Sequence, residues 1–141
     1  MPIEFFSKET SFKVPNSSSY KRWLHQIIRE FSSNKVKDIN YIFCSDDYLL
    51  AINKEYLQHD YYTDIITFDQ SDNEGELEAD IFISVDRIKE NSFERNDSFE
   101  NELSRVMAHG LLHLIGYDDK TEEEKIRMKE KEDACLSLQK Q

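Results

Sequence analysis

The stretch His109-Gly110-Leu111-Leu112-His113-Leu114-Ile115-Gly116-Tyr117-Asp118-Asp119 organises the reading of this chain. Its first part closes a long helix that Asp97-Ser98 opens, and Gly116 stands where a C′ glycine with φ > 0 stops a helix. His109 and His113 are four residues apart on that helix. At about 100° per residue they sit roughly 40° apart around the axis, stacked on one face. Two imidazoles so placed aim ring nitrogens at one point about 2.0–2.1 Å away, the zinc–nitrogen distance. Gly116 turns the chain back across the helix tip, and three residues later Asp119 is placed to bring an oxygen to the same point. Asp118-Asp119 has a second possible use, capping the helix that begins near Thr121. Zinc prefers four ligands, so three protein donors leave one place for water, as in a catalytic centre. The expectation is one Zn²⁺ per chain on His109, His113 and Asp119. The competing reading, two satisfied core histidines, does not account for the glycine stop and the returning carboxylate.

Zinc peptidases of the HExxH type keep a Glu beside the first ligand as general base. That position is Gly110 here, so peptide hydrolysis by that route is not expected.

Outward from this helix the chain reads as strands and helices without a regular βαβ repeat. Ile3–Phe6, Ile39–Cys44, Ile65–Phe68 and Leu77–Val85 are expected strands. Tyr20, Trp23, Leu24, Ile27, Ile28 and Phe31 mark an amphipathic helix, with His25 off its stripe as a surface histidine and not a ligand. A helix from Ser45 to about Leu57, a short one over Asp86–Phe93, and one from the Thr121-Glu122-Glu123-Glu124 capping box to about Gln139 complete the set. The last has irregular apolar spacing (Ile126, Met128, Cys135, Leu138) and is expected to pack on one narrow stripe. The predicted fold is α+β: a single domain over 1–141, with a small mixed β-sheet and helices around a buried helix that carries the histidines.

The chain has 141 residues, 29 acids and 18 Lys plus Arg, for a net charge of −11. Aromatics reach 12%, which separates it from disordered acidic chains. No apolar run approaches the ~18 residues of a membrane span, and Met1–Thr10 lacks the pattern of a secretory signal. Cys44 and Cys135 form no metal or redox motif and read as buried small residues in a reducing, cytoplasmic setting. Residues 1–36 carry +3, residues 37–118 carry −13 and residues 119–141 carry −1. The acidic centre opposes nucleic acid, so any RNA binding should be weak and salt-sensitive, with the metal, the basic N-terminal third or a partner compensating.

The His109–Asp119 segment resembles the signature of the YbeY-type family of bacterial endoribonucleases, His-Gly-x-Leu-His-Leu-x-Gly-Tyr-Asp followed by a third ligand. Asn53, Tyr56, Asp60, Thr63, Asp64, Ile65, Ile66, Thr67 and Phe68 are similar to a second family segment. Ala79-Asp80-Ile81-Phe82-Ile83-Ser84 is similar to a third. The resemblance implies a zinc hydrolase cutting single-stranded RNA in small-subunit rRNA 3′-end maturation and ribosome quality control. It also implies a one-domain α+β fold, a bacterial cytoplasm and a ribosomal partner, with no membrane or DNA role. Four departures stand against the family pattern: Asp119 for the usual third His, Leu57 for an Arg expected near the phosphate, Tyr62 for a Pro, and Ala79 for a Gly. A zinc-bound water is the implied nucleophile. His59, Lys54 and Arg105 are the candidates to stabilise the phosphorane charge, His59 and Arg105 foremost, and Asp64 is a candidate to orient a ligand histidine through its second ring nitrogen. The rival readings are a non-catalytic, zinc-stabilised ribosome-assembly factor, and a metal hydrolase of another substrate.

Overall fold

Alternating apolar residues build a sheet with two different faces. The structure, a computed structural model, describes residues 2–139. Its strands are β1 (Ile3–Lys8), β2 (Lys35–Cys44), β3 (Ile65–Asp69) and β4 (Glu76–Ser84). They lie in the order β1-β2-β4-β3. β1, β2 and β4 run parallel, and β3 is antiparallel to β4 at the edge. The helices are α1 (Ser17–Phe31), α2 (Asp46–Leu57), α3 (Val85–Glu94), α4 (Phe99–Leu114) and α5 (Glu122–Gln139). This is the expected α+β architecture with a small mixed sheet. One feature differs: β1, α1 and β2 form a parallel crossover unit, which the short apolar run at Ile3–Phe6 did not reveal.

Leu77, Ala79, Ile81 and Ile83 of β4 point to one face and join Ile39, Tyr41 and Phe43 of β2 in the main core. Ile66 of β3 and Cys44 face the other way, onto Leu49 of α2 with Phe68 and Phe82. The sequence of β4 showed only partial alternation because Phe82 is apolar too, serving this second, smaller core.

α4 is the buried helix, with Leu103, Met107 and Leu111 fully enclosed. Tyr41 Oη donates to the Met107 carbonyl at 2.9 Å and ties the helix to β2. Gly110 makes the close approach possible. A Cβ there would stand 2.8 Å from Ile65 Cδ1 and 3.3 Å from Ile81 Cγ2. Position 110 therefore faces the sheet, and a glutamate in its place would be driven into the core. Ser98 caps the start of α4 by accepting from the Asn101 N–H, and Gly116 ends it at φ 111°.

The reciprocal capping box opens α5: Thr121 N–H donates to Glu124, and Glu124 N–H donates to Thr121 Oγ1. The buried stripe of this helix is Met128, Glu132, Cys135 and Leu136. Ile126 lies outside it at 60% exposed, which is why the apolar spacing read as irregular. Trp23 Nε1 donates to the Cys135 carbonyl at 2.8 Å and locks α1 to α5. His25 is not the surface residue expected: its Nε2 is buried without a hydrogen-bond partner, and burial pulls its pKa down. Both cysteines are buried thiols, pushed up to about 12 mainly by burial. Among the described residues, no helix is long and apolar enough to cross a membrane.

Candidate metal centre

With Gly110 pressed on the sheet, α4 turns the face of His109 and His113 to its flank, where their side chains are 22% and 29% exposed. Their Nε2 atoms approach each other at 2.9 Å. Gly116 returns the chain, and Asp119 Oδ2 lies 3.4 Å from His109 Nε2 and 3.6 Å from His113 Nε2. The three residues form a group whose donor atoms all lie within 4.8 Å of one another. Donors about 2.0–2.1 Å from one tetrahedral ion are separated by roughly 3.4 Å. The observed spacings match that figure to within about half an ångström. Two imidazoles and a carboxylate are also a donor set that suits zinc.

The side chain hydrogen-bonded to His109 Nδ1 is Glu132; Asp64, a candidate for orienting a ligand histidine, pairs instead with Asn91. Glu132 Oε2 accepts from His109 Nδ1 at 2.7 Å. A carboxylate only accepts, so the proton is held on Nδ1 and Nε2 is directed at the cluster. Glu132 is itself held by Arg105, whose Nη1 donates to Oε1 at 2.9 Å while Nη2 donates to Asp133 at 2.7 Å. Arg105 was a candidate for phosphate stabilisation; the structure instead engages its guanidinium with two carboxylates behind His109. Burial lowers the pKa of His109, but the Glu132 hydrogen bond and the charges of Glu132, Asp119 and Asp64 outweigh it and raise it above the ordinary value. The same negative field favours a bound dication.

Asp64 lies in the wall of the cleft at the metal group. Its carboxyl is pushed up by burial and accepts from Asn91 Nδ2 at 3.3 Å. The cleft holds about 560 Å³ and brings His59, Tyr61 and Leu57 to the same space as His109, His113 and Asp119. His59 therefore stands in the cleft beside Leu57. On the other side of His109 a second cleft is lined by Arg95, Arg105, Lys125 and Lys129. The cations lining that cleft thus come from α4, α5 and the segment after α3, not from the basic N-terminal third. Glu132 was missed because it lies 23 residues from its partner. The available signal was a charge at the fourth position after Met128 and the third before Cys135, inside an apolar stripe.

The family model described as Endoribonuclease YbeY matches residues 4–139. The chain is 50% identical over 138 residues to an Endoribonuclease YbeY from Cytophaga hutchinsonii, covering 98% of this chain and 96% of that protein. It is 46% identical to the one from Flavobacterium psychrophilum, covering 94% of each. A solution structure of a Thermotoga maritima protein is similar at 27% identity with a TM-score of 0.66, covering 97% of this chain and 88% of the other.

Proposed function

The chain belongs to the endoribonuclease YbeY family, hydrolases of RNA phosphodiester bonds, and from that premise we propose that it is a zinc-dependent endoribonuclease specific for single strands. Its proposed task is small-subunit rRNA 3′-end maturation and ribosome quality control in a bacterial cytoplasm. The observation that carries this reading is the convergence of His109 Nε2, His113 Nε2 and Asp119 Oδ2. These three would hold one zinc ion per chain. When bound, zinc supplies a Lewis acid and lowers the pKa of a coordinated water toward 7.

The chain's own residues do the rest. Glu132 holds the His109 tautomer, and Arg105 holds Glu132. His59, which lines the cleft, is proposed to donate to a phosphate oxygen in place of the Arg that the family resemblance leads one to expect. Lys125 and Lys129 offer positive charge beside the centre, which partly offsets the −13 carried by residues 37–118. The net charge of −11 still opposes free RNA, so the small ribosomal subunit and its proteins are proposed as the context for binding.

Leu57, exposed in the cleft where the family has Arg, favours a second reading: a ribosome-assembly factor that keeps zinc for stability. Cleavage of an unstructured oligoribonucleotide by zinc-loaded wild type, His113→Ala and Asp119→Ala separates the two. The nuclease reading expects wild-type turnover, lost in variants that still fold. Absence of wild-type cleavage, or variants that cut normally, overturns it. His59→Ala in the same assay is expected to lower kcat by roughly 10²-fold, the scale of losing one oxyanion donor.

A further inference from the structure

The loop after α2 presents stacked rings to the cleft. His59 and Tyr61 lie with centroids 5.2 Å apart and planes 20° from parallel. Tyr61 Oη and His59 Nδ1 are hydrogen-bonded at 3.1 Å. Tyr61 is nevertheless 56% exposed, so its ring is available to a ligand. The loop that carries the pair is pinned from beneath. Asn53 is 1% exposed, its carbonyl accepts the N–H groups of Gln58 and His59, and its Nδ2 donates to the Tyr61 carbonyl at 2.9 Å. Gln58 takes φ 57° to make the turn. A buried amide that ties both sides of an exposed aromatic pair holds those rings in place before any ligand arrives.

Flat rings fixed beside a phosphodiester-cleaving centre suit a nucleobase. Every base has a π-face, so such a platform binds without regard to sequence, but only a base freed from pairing and neighbours can enter. We propose that Tyr61, backed by His59 and set by Asn53, is a stacking platform for one unpaired base of the RNA strand lying across the cleft. It supplies binding that charge alone does not in an acidic protein, and it selects single strands. The inference rests on the nuclease reading for the identity of the ligand.

The test uses the full zinc-loaded chain at low salt and a series of single-stranded oligoribonucleotides with 2-aminopurine placed at successive positions. Stacking on Tyr61 quenches the fluorescence of one position on binding. Tyr61→Ala is expected to remove that quench and weaken binding about ten- to a hundredfold. Tyr61→Phe keeps both, since it retains the ring. The same oligonucleotide annealed to its complement gives no position-specific quench. Because Tyr61 is exposed, thermal melting of Tyr61→Ala is expected to match wild type, and Tyr61→Phe controls for the loss of the hydroxyl. Wild type that quenches at no position, or Tyr61→Ala that quenches and binds as wild type does, overturns the platform. Cleavage without quenching leaves the nuclease reading standing and removes the platform; quenching without cleavage keeps the platform and counts against the nuclease.

Discussion

Glu132 shows how much of a metal centre lies outside its ligands. Its carboxylate takes the His109 Nδ1 proton on one oxygen and the Arg105 guanidinium on the other. Glu132→Gln is expected to weaken zinc binding about 10- to 100-fold, the usual cost of losing such a partner, as measured by competition with a chelating dye. Unchanged affinity would show that His109 is oriented by something else. The grouping of His109, His113 and Asp119 was legible in the sequence because helix periodicity and a glycine stop are local facts. Glu132 was not, because only the docking of α5 on α4 brings it to His109. Gly110 is a second residue whose role is packing. Gly110→Ala is expected to change stability by no more than about 1 kcal/mol, helix propensity offsetting a contact that the flexible end of Ile65 can relieve. Gly110→Glu should cost more than about 3 kcal/mol, since it buries a carboxylate against Ile65 and Ile81. Chemical denaturation of both variants checks this, and a Glu variant as stable as wild type would contradict the placement.

Among the elements, α2 and α3 are joined by an ion pair between Asp46 and Arg87. Asp46 Oδ2 accepts from Arg87 Nη2 at 2.6 Å, and Oδ1 accepts from Ser84 Oγ at 2.7 Å. Burial pushes the Asp46 carboxyl up, but the hydrogen bonds from Arg87 and Ser84, with the Arg87 charge, outweigh it and hold it below the usual carboxylate range. A depressed folded pKa contributes stability that is present above the unfolded value and is lost as pH falls through the folded one. Asp46→Asn is expected to cost about 1.5 kcal/mol near pH 7, and the gap to wild type should close as pH drops below the ordinary aspartate value of 3.8. Denaturation curves across that range check the sign; a gap that widens in acid would contradict it. The helices were readable from caps and stripes, since those signals are built into adjacent residues. Strand order was not, because the parallel pairing of β2 with β4 joins segments some forty residues apart. The crossover at β1 was hidden for the same reason, since its register is set against Ile39–Cys44.

Across the whole molecule, the acidic charge and the metal group belong together. Carboxylates from α5, the loop after α4 and the β3 entry lie about His109, a field that repels RNA and attracts a cation. Zinc at a hundred times its Kd adds about 2.7 kcal/mol to folding stability. For a chain of this length that should raise Tm by roughly 8–10 °C over the chelator-treated protein, and the gain should vanish in His109→Ala. A chelator that leaves Tm unchanged would contradict metal binding by the folded state.

The most direct measurement is the zinc content of the purified, zinc-equilibrated chain, compared with His113→Ala and Asp119→Ala after both are shown to fold. The account expects one ion per chain in the wild type and a near-complete loss in each variant. Variants that retain zinc in full, or a folded wild type that takes up none, would contradict it.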